Sequence, residues 1–301
     1  MRKMILGIPF TAPLFLAAMD LVAARQPQFT VELITTFDYP IDGIVFQSTG
    51  AINTQDDIVG AVSQPFQSGG FMRFSNGTFS QPLSFPGAMQ TSLLGINDER
   101  LRCGFYIGGD GVQHGFLDSA GVFTSYDVPG AISTTVESVN NSADFSGNYQ
   151  SPTEVFLDGF VSLGGAFSTI TIPEAGGTVT RGINNRGQVV GWYLEEDFFT
   201  AHGFLRARSG TLTYPIDFPG TNVVQTDLEA TNDRGFVVGG WVDDSGIRHG
   251  LILQLPDTFV SFDVVGSDST ILTGINNSGA IAGWYYLSGI PHGLIARLHA
   301  Q

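Results

Sequence analysis

The stretch Gly182-Ile183-Asn184-Asn185-Arg186-Gly187-Gln188-Val189-Val190-Gly191-Trp192-Tyr193, followed by His202-Gly203-Phe204-Leu205 and Asp217-Phe218-Pro219-Gly220, decides how the rest of the chain is read. Its grammar recurs five more times. Ala51-Ile52-Asn53, Gly95-Ile96-Asn97, Ser138-Val139-Asn140, Ala230-Thr231-Asn232 and Gly274-Ile275-Asn276 repeat the first triplet, and the six asparagines are 44, 43, 44, 48 and 44 residues apart. Seven residues after each stands a glycine: Gly60, Gly104, Gly147, Gly191, Gly239 and Gly283. At 39 glycines in 301 residues, six hits in six would arise by chance roughly five times in a million in a fixed register, so the period is a real repeat. A second anchor follows at Gly70-Phe71, His114-Gly115-Phe116, Asp158-Gly159-Phe160, His202-Gly203-Phe204, His249-Gly250-Leu251 and His292-Gly293-Leu294. Each unit then closes on a turn, as in Asp127-Val128-Pro129-Gly130.

Turn residues divide a unit into four short strands, predicted in the fourth repeat over 178–183, 188–194, 203–207 and 211–217. No window outside the N-terminal segment sustains a helical period. Four strands per unit of this length is the period of propeller blades, whereas β-helix coils are shorter. The sixth repeat stops after three strands, and the missing pattern appears at the other terminus, in Phe29 to Pro40. The expected fold is all-β: a six-bladed β-propeller of four-stranded blades, its ring closed by an N-terminal strand that completes the last blade and removes an exposed sheet edge. Residues 25–301 form one such domain.

This grammar, clearest at Gly182 to Tyr193, His202 to Leu205 and Asp217 to Gly220, resembles the HAF-type extracellular repeat of exported bacterial proteins. The resemblance covers about residues 29 to 298. It implies export and a propeller-like array, and it brings no catalytic residues. The chain departs from the pattern at Gly69 and Asp158, which stand where the histidine would be.

Residues 1–24 read as a secretory signal: Arg2 and Lys3, an apolar run from Met4 to Met19, and Val22-Ala23-Ala24 before a cut ahead of Arg25. The run is shorter than the roughly 20 apolar residues of a spanning helix. Its removal takes two positive charges and one negative from the full chain's 13 basic and 28 acidic residues, leaving 11 against 27 and no lysine, because Lys3 is the only one. The expected location is secreted or periplasmic. An acidic chain without a basic run lacks the footprint for nucleic acid and for anionic lipid. The absence of lysine excludes Schiff-base and Ser/Lys chemistry. Cys103, the single cysteine, leaves no intrachain disulfide and reads as a small buried hydrophobe.

The repeating polar residues have structural readings. His114, His202, His249 and His292 occupy equivalent places in separate units, too far apart for one metal, and read as bonded to a neighbouring strand or turn. Asp38, Asp127, Asp217 and Asp263 alternate with Ser84 and Thr171 and read as turn caps. The asparagine pairs read as left-handed turn residues, and Trp192, Trp241 and Trp284 as packing between blades. Function is expected where the repeat breaks. The spacing from Asn184 to Asn232 is four residues longer than its neighbours, in a connection carrying Asp227 and Glu229. Nearby loops carry Glu195-Glu196-Asp197-Phe198-Phe199 and Asp243-Asp244. These nine residues are expected to form one acidic, aromatic patch suited to calcium or carbohydrate; no dedicated metal site and no cofactor is expected. No Walker loop, Gly-x-Ser-x-Gly elbow or His-Glu-x-x-His is present. The reading is therefore a monomeric extracellular binding module for a carbohydrate or protein ligand. Its rival is a carbohydrate hydrolase or lyase using carboxylates on the loop-rich face.

Overall fold

Short apolar runs between glycine- and asparagine-centred turns form strands throughout the computed structural model, which describes residues 29–40, 46–64, 67–196 and 198–300. The N-terminal charged and apolar stretch and Asp197 lie outside these residues. In chain order the strands are β1 Phe29–Phe37, β2 Phe46–Ile52, β3 Ile58–Gln64, β4 Gln67–Arg73, β5 Gln90–Ile96, β6 Leu101–Ile107, β7 Gln113–Ser119, β8 Val122–Tyr126, β9 Ser133–Val139, β10 Phe145–Gln150, β11 Leu157–Leu163 and β12 Ala166–Ile170. They continue as β13 Gly177–Ile183, β14 Val189–Leu194, β15 Ala201–Arg206, β16 Leu212–Ile216, β17 Val223–Thr231, β18 Phe236–Asp243, β19 Arg248–Gln254, β20 Thr258–Phe262, β21 Ser269–Ile275, β22 Ala280–Leu287 and β23 Ile290–Ala300. No helix is present among the described residues.

The strands pair as antiparallel meanders of consecutive elements. Those from β5 to β8 and from β9 to β12 form separate four-stranded sheets, while β13 to β16 and β17 to β20 are joined into one sheet by a single parallel bridge, Ala201 to Gln225. The N-terminal strand joins the C-terminal ones in the order β1-β23-β22-β21, as its sequence pattern requires. In the first repeat the fourth strand is reduced to two bridges, Gly70 to Leu83 and Arg73 to Phe79, beside β2, β3 and β4.

The repeat anchors have distinct physical reasons. A Cβ on the strand-two glycines Gly60, Gly104, Gly147, Gly191, Gly239 or Gly283 would overlap the carbonyl oxygen of the first strand, from Ser48 in the first unit to Ile271 in the last. The residue after the strand-three glycine is the centre of each core: Phe71, Phe116, Phe160, Phe204, Leu251 and Leu294 are all 0% exposed. The asparagines do more than shape turns. Positive φ falls three residues later, at Asp56, Arg100, Ala143, Gly187, Gly235 and Gly279. The Asn140 Oδ1 accepts from the N–H groups of Ser142 and Asp144, while its Nδ2 donates to the Asn184 carbonyl at 3.0 Å. The same inter-repeat bond runs from Asn53 to Asn97, Asn97 to Asn140, Asn184 to Asn232, Asn232 to Asn276, and from Asn276 back to Asn53.

A common meeting point for the asparagine turns makes the first strands run in one direction. First-to-second and third-to-fourth connections therefore share one end, the asparagine end. Second-to-third and unit-to-unit connections share the other, the loop end. Asn140→Ala removes three hydrogen bonds and leaves buried donors and an acceptor unpaired, which is expected to cost about 2–4 kcal/mol in urea unfolding. Asn140→Asp keeps the acceptor but loses the donor and buries a charge, and should be no less costly.

Candidate functional site

Three residues before each repeat asparagine, the first strands present Gly50, Leu94, Glu137, Arg181, Glu229 and Thr273 to one cavity of about 470 Å³. The neighbouring anchors are kept small because the strands nearly touch: a Cβ on Gly182 would lie 2.7 Å from the Ala230 Cα, and one on Gly274 3.0 Å from the Ala51 Cα. Three adjacent strands thus carry Glu, Arg and Glu in the same column. Arg181 on β13 bridges them, its Nη1 donating to Glu137 Oε2 at 3.1 Å and its Nε lying 3.3 Å from Glu229 Oε2. Asn148 Nδ2 on β10 donates to Glu137 Oε1 at 3.0 Å, so both oxygens of that carboxylate are held. Asp227 on β17 pairs with Arg248 at the start of β19, and Arg248 Nη2 lies 4.0 Å from Glu229 Oε1. The rest of the wall is Ile271, Trp284 and Leu94 with the hydroxyls of Thr49 and Thr273. An adjoining space of about 210 Å³ between Trp192, Gln225, Asp227 and Arg248 carries the site toward the loop end.

Electrostatics marks the cluster. Burial pushes the Asp227 carboxyl up to about 7; Arg248 opposes the rise and Glu229 adds to it. Burial also raises Glu137 against the pull of Arg181. Arg181, which burial alone would lower, is held above its usual range by Glu229 and Glu137. The Nε–H groups of Arg181 and Arg248 are buried and donate no well-aligned hydrogen bond, although Arg181 Nε lies within ion-pair distance of Glu229. Perturbed carboxyls beside a specific charge partner in a cavity mark a candidate site with a physical rationale.

The expected patch is divided among three surroundings. Asp227 and Glu229 lie on a strand and face the cavity, because β17 is longer than the other first strands and runs from Val223 through both of them. Glu195 and Asp243 face histidines, as described below. Glu196 and Asp244 are exposed at loop tips. Phe198 stacks on Phe156 with ring centroids 4.3 Å apart, and Phe199 is 77% exposed while its carbonyl accepts from Gln225 Nε2. The tryptophans divide as well. Trp241, two residues after its glycine, stacks on Phe218 and His249 in the core, whereas Trp192 and Trp284, directly after theirs, point the opposite way and line the cavities. Glu137 and Arg181 escaped the sequence reading, although the column three before each asparagine holds charges in three successive repeats.

No family model and no curated protein matches the sequence. Solved structures do share its architecture. The propeller domain of the Trilobed protease from Pyrococcus furiosus is similar at a TM-score of 0.52 and 9% identity over 85% of this chain and 82% of that one. The fold is a β-propeller. An Aleuria aurantia lectin, solved with Fucα1-6GlcNAc, gives a TM-score of 0.53 at 9% identity over 84% of this chain and 94% of the lectin. A prolyl endopeptidase gives 0.53 at 10% identity over 86% of this chain, which spans 43% of that structure's length.

On the propeller's loop end each repeat histidine pairs with a carboxylate, and three of the four are bracketed by two. His114, His202, His249 and His292 bond through Nδ1 to Asp127, Asp217, Asp263 and Asp38 at 2.8–3.0 Å. On the other side Nε2 approaches Asp110 at 3.4 Å, Glu195 at 3.0 Å and Asp243 at 3.5 Å in the first three. The closing-turn aspartates are thus anchors for histidine more than caps, and the two units lacking the histidine lack the aspartate as well, with Ser84 and Thr171 in its place. Among the described residues no three His, Cys, Asp or Glu side chains gather to hold a metal ion. Cys103 is fully buried, and burial pushes its thiol up.

Burial alone would lower His114 and His202, but Asp127 with Asp110, and Asp217 with Glu195, raise both. Their stabilisation is complete below the unfolded value of about 6.5 and is lost as pH rises through the higher folded value. Asp227 and Glu137 also bind protons more tightly when folded, so stability falls as pH climbs from about 4 toward 7. Both groups act in the same direction. The melting temperature should fall steadily from pH 5 to pH 8, and His202→Asn should flatten the upper part of that slope; a flat or rising profile in the parent protein contradicts this account.

Proposed function

We propose that this chain is an exported six-bladed propeller of the HAF repeat type, its ring closed where β1 completes the last blade, and that it binds a small ligand in its central cavity. The closing contacts support the ring. Asn276 bonds Asn53, Thr273 Oγ1 donates to the Gly50 carbonyl at 2.8 Å, and Asp38 of the N-terminal segment holds His292. Residues 1–24 support export by their sequence pattern.

The observation that carries the binding reading is the lining of the cavity. Its volume falls in the roughly 300–1,000 Å³ range of small-molecule sites, and its lining combines the charged Glu137, Arg181, Glu229 and Arg248 with the apolar Trp284, Ile271 and Leu94. A pyranose sugar presents matching faces, hydroxyls toward the charged groups and C–H bonds toward the indole. A thermal-shift screen of mono- and disaccharides should find ligands that stabilise the protein. Glu229→Gln should weaken them about tenfold or more through loss of charge-assisted bonds. Hits indifferent to both Glu229→Gln and Trp284→Ala would remove the cavity from the reading.

One observation favours the enzyme alternative: Asp227 is held near neutrality beside Glu229, the condition of a glycosidase general acid. Asp227→Asn distinguishes the two. A hydrolase loses turnover of an aryl glycoside while retaining its affinity, whereas a binding module shows no turnover in either form.

A further inference from the structure

The propeller's two ends differ in charge balance: arginines nearly offset the carboxylates at the asparagine end and are missing from the connections of the other. Thirteen basic residues less Arg2, Lys3 and Arg25 leave ten within the described part, all arginines. Arg181 and Arg248 line the central cavity. The other eight lie at the asparagine end, in first-to-second and third-to-fourth connections or at the strand ends beside them. Several are matched there to carboxylates: Arg100 to Asp57, Arg102 to Asp118, Arg208 to Asp144 and Arg297 to Asp56. The loop end has no such compensation. Beyond the histidine-bound carboxylates it carries Glu154, Glu174, Glu196, Asp244 and Asp268, and among the described residues of its connections there is no arginine or lysine.

The same end exposes large apolar side chains. Met89, Val155, Phe199, Val265 and Ile290 are 58–100% exposed and lie in, or at the edge of, second-to-third or unit-to-unit connections, whereas the asparagine end has only Val122 so exposed among the described residues. Repeat architecture does not require them there, since the cores are already filled by the strand-three Phe and Leu residues.

We propose that the loop end, outside the central cavity, is a docking surface for a basic polypeptide that also presents apolar side chains. Charge complementarity selects a cation: uncompensated carboxylates on one end, and every arginine outside the cavity on the other, steer a basic partner to one face of an otherwise acidic protein. The apolar side chains select a polypeptide over a cationic polysaccharide, because they gain by burial only against other apolar groups. The surface stands whether or not the cavity holds a small ligand.

The probe is a fluorescein-labelled 20-residue peptide of alternating arginine and leucine, titrated by anisotropy onto the full chain, with a glutamate-leucine peptide and a chitosan oligomer as comparisons. The arginine peptide should bind, losing about tenfold in affinity from 50 to 300 mM salt. Glu154→Lys with Asp244→Lys should weaken it at least tenfold. Glu99→Lys with Asp257→Lys, the same change of net charge at the asparagine end, should weaken it less than threefold. Val155→Ser with Val265→Ser should weaken it severalfold at 300 mM salt, where apolar contact remains. The proposal is overturned if the two charge reversals act equally, because attraction is then merely to net charge. It is also overturned if the serine variant binds as the parent does and the chitosan oligomer binds as well as the peptide, or if the glutamate-leucine peptide binds equally well.

Discussion

Each repeat asparagine makes the same three bonds: two from its own turn to Oδ1 and one from Nδ2 to the carbonyl of the next repeat's asparagine. The rest of the architecture follows from this group. A shorter side chain could not serve both turns, and glutamine would place the amide too far from its own backbone. Because the bond joins equivalent atoms of successive units, it brings the first strands to one point with a common direction. The small residue beside each asparagine then becomes obligatory, since neighbouring strands at Gly182 and Ala230, or Gly274 and Ala51, approach too closely for a larger side chain. A second ladder runs beside the first, with the backbone N–H of Asp98, Asn141, Asn185 and Asp233 each donating to the side-chain oxygen of the following unit.

That constraint also creates the site. Convergence of the first strands leaves one column lining the cavity, and its residue type varies from Gly50 and Leu94 to Glu137, Arg181, Glu229 and Thr273. Here Glu137, Arg181 and Glu229 stand in adjacent strands, while Thr273, Gly50 and Leu94 complete the wall. Burying such a cluster carries a desolvation cost that ion pairing only partly offsets, and the raised Asp227 and Glu137 carboxyls are that cost expressed as proton affinity. A propeller that needed only stability could fill the column with valine and threonine, as Val179 and Thr135 do two residues earlier.

The long repeat shows where residue-level reading succeeds and where it stops. The four extra residues did mark a special unit, and Asp227 with Glu229 is part of the charged cavity. An insertion usually lies in a loop, but β17 begins at Val223 and carries both carboxylates along a strand. Glu195 and Asp243 looked like ligand groups when seen as loop residues, yet each flanks a histidine. That role was visible only through the pairing of β14 with β15 and β18 with β19. Trp192 and Trp284 were separated from Trp241 by a single position relative to the glycine. In a strand one position reverses the face, which sends two indoles toward the cavities and the third into the core.

The sequence by itself determined the period, the four strands of a unit, the glycine and asparagine positions and the use of the N-terminal strand beside the C-terminal ones. All of these follow from local chain geometry repeated six times, and repetition makes a weak local signal strong. Tertiary structure alone decided which charged groups meet. Glu137, Arg181 and Glu229 are separated by 44 and 48 residues, and no local rule brings them together. Their proximity arises because equivalent positions of successive units converge on one cavity, where exclusion of water raises the Glu137 carboxyl and Arg181 is held by both neighbours.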